Sequence, residues 1–224
     1  KAIESGHIDL NAYAVVDLML GKQRSTTTGS GHSSIRYEAL PEALQHEIEA
    51  YTKSGGALLV TGAYTLTDLY TSPQATNHDM AFATEVLRAS FGGSKASTDG
   101  IATPATLSRK QRRNTPVSEP LHFNTTLSED IYIVESPEVV NPIGNDAYTL
   151  LQYSSSASAA IASTSTRGHR VVVMGFPFET ITDDEERNRM MAKSLDYLLS
   201  EHKSFEAESN TENPKRKINI IRRR

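Results

Sequence analysis

The 224-residue sequence predicts an α/β fold, a mostly parallel sheet with helices on both faces. Three observations predict it. Residues 13–20 (YAVVDLML) and 57–60 (ALLV) are apolar on both sides, as strands covered by helices on two faces must be. An amphipathic stretch that begins at Pro41 lies between them, making the strand, crossover helix, strand unit of a parallel sheet. A third apolar run, Arg170–Met174, breaks at Gly175 and leads into another helical pattern.

The elements follow in order. The first strand ends at Gly21-Lys22-Gln23, and residues 24–36 are polar and loop-like. Pro41 suits a first helical turn because its φ is already fixed. Leu44, Ile48 and Tyr51 then form an apolar face at i, i+4, i+7, and Gly55-Gly56 stops the helix. The second strand closes at Thr61-Gly62-Ala63-Tyr64. A second helix is expected over 78–91, with Phe82, Val86 and Leu87 inward, ending at Gly92-Gly93. Residues 94–128 show no long period and read as an insertion or a long connection. Strands are expected at 130–135 and 148–153, and a hairpin from 158–164 to 170–174 around Thr166-Arg167-Gly168-His169. A capping box from Thr182 to Glu185 opens the last helix, whose expected core stripe is Met191, Leu195, Leu198 and Leu199. The α/β domain thus occupies 1–200, and 201–224 is a polar linker with a basic tail. Residues 1–13 read as a helix end and a loop, so further N-terminal strands of the sheet are expected upstream of residue 1.

Composition narrows the function. No cysteine is present, which excludes disulfides, thiol nucleophiles and thiolate metal sites. No apolar run is long enough to span a membrane. The net charge is −4, but the last eleven residues hold six basic side chains, leaving 17 basic against 27 acidic, or −10, on the preceding 213. Such a body repels nucleic acid, and none is expected as a partner. The seven histidines show no metal-ligand spacing along the chain, so neither a metal site nor a cofactor is expected.

The run Gly175-Phe176-Pro177-Phe178-Glu179 resembles the strand end of class I glutamine amidotransferases, where Gln-Phe-His-Pro-Glu supplies a histidine and an acid. Glu179 matches the acid, Pro177 stands in place of the histidine, and no cysteine nucleophile exists. More broadly, 13–23 (YAVVDLMLGKQ), 55–69 (GGALLVTGAYTLTDL) and 159–181 (AAIASTSTRGHRVVVMGFPFETI) resemble the amidotransferase-like domain of secreted bacterial proteins labelled xanthan lyase or golvesin-type. That resemblance implies a three-layer flavodoxin-like fold and export from the cytoplasm, within a larger multidomain chain.

Ligands of open α/β sheets bind beyond the carboxyl ends of the strands. That rim gathers Lys22, Gln23, Thr61, Tyr64, Asp68, Glu135 and Glu179. Glu179 is either a carboxylate facing a pocket, serving as base or acceptor, or a structural acid at the start of the last helix. Tyr64 either donates a phenolic proton or plugs the rim. Asp68 either binds a ligand or caps a turn, and Lys22 either pairs with an anionic group or stays solvated. Thr61 offers a hydroxyl where amidotransferases carry their nucleophile, with no histidine placed to activate it. The expectation is a non-catalytic, degenerate amidotransferase-like module that binds or scaffolds within an exported polysaccharide-related protein, with a carbohydrate as its possible ligand. The enzymatic alternative is a polysaccharide lyase or hydrolase using Tyr64, Lys22 and Glu179.

Overall fold

Val171 and Val173 face one way and Val172 and Met174 the other, and this alternation divides the core in two. The computed structural model describes residues 3, 5–33, 35–112, 115, 117, 119–165 and 169–200. Along them run β1 (Val15–Gly21), β2 (Thr26–Thr28), β3 (Ile35–Tyr37), α1 (Glu42–Lys53), β4 (Ala57–Gly62), α2 (Thr65–Thr71), α3 (Asn77–Glu85) and β5 (Ala89–Gly93). There follow β6 (Ile101–Pro104), α4 (Arg109–Arg112), β7 (Leu121–His122), β8 (Val139–Pro142), β9 (Ala147–Tyr153), β10 (Ser158–Thr164), β11 (Arg170–Met174) and α5 (Asp184–Leu199).

Seven strands form one sheet in the order β1-β4-β11-β10-β9-β6-β7. Only β1 with β4 and β4 with β11 run parallel; the other four pairings are antiparallel. The sheet is therefore mixed, where a mostly parallel one was expected. The connections explain it: β9, β10 and β11 follow one another through short turns, and a short turn can only join antiparallel neighbours. Separate two-stranded ribbons pair β2 with β3 and β5 with β8.

β4 is buried along its whole length. Leu58 and Val60 join Val171 and Val173 under α1, α2 and α3, packing against Leu44, Ile48, Tyr51, Leu66, Leu69 and Phe82. Ala57 and Leu59 join Val172 and Met174 on the other face, beneath Met190, Tyr197 and Leu198 of α5. Phe123 and Phe176 stack there with ring centroids 4.4 Å apart.

Several elements depart from expectation. The helix expected over 78–91 ends at Glu85, and Phe91 instead pairs with Val140 in a strand. The break is at Arg88, whose φ of +57° no helix accommodates and whose carbonyl accepts from the Ile143 amide. Thr65–Thr71 forms a helix in a stretch to which the sequence assigns no element. Residues 130–135, despite their strand-like alternation, are irregular, held by the Val134 amide on Asn124 and by the Asn124 side chain on the Ile131 carbonyl. The 94–128 stretch supplies β6 and β7 to the far edge of the sheet. α5 is capped by Asp183, not Thr182, with its carboxylate accepting from the Glu186 amide. Its buried stripe is Met190, Ser194, Tyr197 and Leu198, with Met191, Leu195 and Leu199 only partly covered. A serine sits in that stripe, so counting apolar side chains alone places it one position off. The turn residues 166–168 and the expected tail 201–224 lie outside the described residues.

Candidate functional site

Because β1, β4 and β11 are parallel, their carboxyl ends share one rim, where the sequence places its candidates. β1 ends at Gly21 in a left-handed conformation (φ +59°). A Cβ there would stand 3.2 Å from both Glu179 Oε1 and the Tyr132 hydroxyl. Those two oxygens are bonded to each other, with Tyr132 donating to Glu179 at 2.6 Å. Burial, then the hydrogen bond and charge of Glu179, push the Tyr132 hydroxyl far above its usual pKa. The second carboxylate oxygen of Glu179, Oε2, is sealed from solvent without a hydrogen bond.

Lys22 reaches across the same rim, donating to Glu135 Oε1 at 2.7 Å and to the Ile133 carbonyl at 3.1 Å. That hydrogen bond holds the Glu135 carboxyl below the usual range. The Lys22 ammonium also lies 5.6 Å from the centre of the Tyr132 ring. Gln23 donates to the Glu38 carbonyl at 2.7 Å, and the Arg24 guanidinium sits 5.4 Å from the centre of the Tyr64 ring.

Thr61 and Asp68 lie deeper. Thr61 is fully buried, and its hydroxyl accepts the Phe178 amide at 3.4 Å, under the Gly175–Glu179 turn. Asp68 accepts the Ser25 amide at 2.7 Å and the Ala39 amide at 3.0 Å, tying both ends of the β2–β3 excursion to α2. The structure thus brings Lys22, Glu135 and Glu179 together around Tyr132, and sets Thr61 and Asp68 beneath the surface.

Tyr132 and Glu138 are the residues sequence reasoning missed. Glu138 is 0% exposed; its Oε1 accepts the Thr67 amide at 2.6 Å and its Oε2 the Leu66 amide at 3.0 Å, closing the start of α2. Desolvation pushes its carboxyl up to about 7, against those hydrogen bonds and with help from the charge of Asp68. The Glu138 backbone is gripped as well, donating to the Gly175 carbonyl at 2.7 Å and accepting from the Tyr153 hydroxyl at 2.9 Å. Nothing in Pro137-Glu138-Val139 signals this; an acid beside a proline reads as an ordinary loop.

A cleft of about 560 Å³ lies at the opposite end of the sheet, beside the start of β11. Glu49, Lys53, Arg88, Asn145, Asp146 and His169 are among its lining. Arg88 pairs with Asp146, while its Nε is sealed without a hydrogen bond. His169 Nδ1 and the Ser165 hydroxyl are 2.7 Å apart. Beside Glu49, helices α1 and α3 bring the His46 and His78 rings to 4.6 Å between centroids. No helix among the described residues is long and apolar enough to cross a membrane.

Fold and site together define a mixed α/β domain with a self-bonded rim at one end of its sheet and an open cleft at the other. No protein-family model matches the chain, and no curated protein matches it. Among solved structures it is similar to a chain described as "mmIFT52 N-terminal domain", at 14% identity and a TM-score of 0.44, over 71% of this chain and 72% of that one. These findings correct the resemblance drawn from the GAY and GFPFET segments. No family match supports an amidotransferase-like or xanthan lyase domain. The secreted and polysaccharide associations that came with that resemblance lose their basis with it.

Proposed function

We propose that this chain is a non-catalytic binding module whose ligand site is the cleft beside Arg88 and Asp146, not the strand-end rim. The observation that carries the reading is the bond from Tyr132 to Glu179. A general base must hold a lone pair free for its substrate, and this acid spends one on the tyrosine while its other oxygen is sealed. Lys22 is likewise taken up by Glu135, and the Thr61 hydroxyl is buried beyond the reach of any substrate. Glu179 and Tyr132 then act as a clasp, and Asp68 as a cap.

The cleft has the size of a small-ligand site, and the acids, cations, amide and hydroxyls set among apolar walls that include Ala81 and Val86 suit a hydroxyl-rich ligand with apolar faces, with a carbohydrate as the class. In the same reading, the β1-β4-β11 core with helices on two faces is a flavodoxin-like three-layer arrangement extended by antiparallel strands.

An amide-resolved NMR titration with neutral and acidic oligosaccharides tests this. Shifts at Asn145, Asp146 and Ser165 with no product formed are expected. Shifts centred on Lys22 and Glu179, or turnover lost in Glu179→Gln, would show a catalytic rim instead. A titration silent for every sugar would leave a spacer without a ligand.

A further inference from the structure

We propose that Glu42, His46 and His78 form a surface site for a divalent transition-metal ion that joins α1 to α3. Glu42, His46 and Glu49 lie at i, i+4 and i+7 on α1 and therefore share one face. His78 comes from the first turn of α3, and its ring is tilted 50° to that of His46. Glu42, His46 and His78 each offer one ligand atom, and those atoms lie within 4.8 Å of one another.

A second observation points to a ligand. The Nε2 atom of His78 is sealed from solvent and makes no hydrogen bond. Its neighbouring carboxylate oxygen, Glu49 Oε1, is 3.6 Å away, beyond hydrogen-bonding range. A ring nitrogen left in that state costs free energy, which an added ligand at the cluster would recover as the ring turned to meet it. His46 has a carboxylate at each nitrogen, Glu42 Oε1 at 3.7 Å from Nε2 and Glu49 Oε2 at 3.7 Å from Nδ1. One nitrogen can therefore take a metal while a carboxylate orients the other, the usual support for a ligating imidazole.

The ligand atoms must close from 4.8 Å to the roughly 3.3 Å that a tetrahedral zinc ion requires. Glu42 and His46 can do so, because their side chains are 67% and 57% exposed and free to change rotamer. Two imidazoles with a carboxylate suit zinc, cobalt, nickel or copper, and not magnesium or calcium, which prefer all-oxygen shells. The spacing along the chain hides the site because 31 residues separate the two histidines.

The test uses the full chain without an affinity tag, at a pH where imidazoles are neutral. Zinc is titrated by calorimetry, and cobalt by its visible absorption, which reports coordination geometry directly. One-to-one binding is expected, with a melting temperature that rises with zinc and does not respond to magnesium. His46→Ala and His78→Ala, each confirmed as folded by circular dichroism, should weaken zinc binding tenfold or more. His122→Ala, a histidine outside the cluster, should bind as the parent does. Absent cobalt spectra, or zinc binding unchanged in the doubly substituted His46→Ala, His78→Ala chain, would overturn the proposal. Neither outcome depends on the cleft, whose sugar titration is run with no metal present.

Discussion

The Tyr132 hydroxyl donates to Glu179 Oε1 at 2.6 Å and so fastens the irregular 130–135 segment across the carboxyl ends of β1 and β11. The bond passes over Gly21, whose missing side chain leaves the room it needs. Tyr132→Phe should therefore cost about 1–3 kcal/mol, since it deletes a donor to a charged acceptor and leaves a half-buried carboxylate without its partner. Urea unfolding would measure it. Glu179→Gln should cost less, because an amide oxygen still accepts the tyrosine proton. A larger loss in Glu179→Gln than in Tyr132→Phe would mean the clasp is held by something else.

Asp68 makes a second clasp, on the backbone. Its carboxylate takes the amides of Ser25 and Ala39, 14 residues apart on either side of the β2–β3 ribbon. Asp68→Ala should destabilise the fold by about 2–4 kcal/mol and expose those two amides to rapid hydrogen exchange. Asp68→Asn, which keeps one good acceptor, should fall between parent and alanine variant. Unchanged exchange at Ser25 and Ala39 would remove Asp68 from that role.

The parallel core was legible because its signal is local. Val171 to Met174 alternate between two buried faces, and Leu44, Ile48 and Tyr51 recur at helical spacing, so burial follows from counting. The failures share one physical cause, a partner distant in sequence. Residues 130–135 alternate like a strand but find no strand edge, only the amides and carbonyls around Asn124. Gly92 looks like a helix stop, yet it is a glycine because Val139 and Asn141 of β8 press against it. Arg88 takes a left-handed φ where its carbonyl accepts from the Ile143 amide and its guanidinium pairs with Asp146, 58 residues on. At the rim, Lys22 and Glu179 were recognised from strand ends, but the tyrosine between them lies in the segment read as a strand. Glu138 carried no signal at all, since its burial comes entirely from elements that close around it.

Gly175 is where the sequence reading placed a strand break, and packing explains why no other residue fits. A Cβ there would overlap the Glu138 carbonyl and press on Val140. Gly175→Ala must push β8 away from β11 and lengthen the bond from the Glu138 amide to the Gly175 carbonyl. The expected cost is about 1–3 kcal/mol, read as a lower urea midpoint with an unchanged slope. A variant as stable as the parent would show that this contact yields without strain.

Glu138 sets the pH dependence. Its carboxyl sits near 7 in the folded chain against an ordinary value of 4.5, so the folded state holds a proton that the unfolded state has already released. Stability from this group is fully present below about pH 4.5 and is lost as the pH rises through about 7, after which the loss levels off. The whole span is on the order of 3 kcal/mol, from the size of the shift. Glu138→Gln cannot ionise, yet it still offers an oxygen to the Leu66 or Thr67 amide. The variant should therefore be less stable than the parent at pH 5 and close the gap, or pass the parent, at pH 8. Comparing urea unfolding of the two chains at both pH values cancels every other titrating group, leaving Glu138 alone in the difference. A difference that stayed constant from pH 5 to pH 8 would mean that Glu138 remains ionised in the fold, with its two amide bonds outweighing its burial.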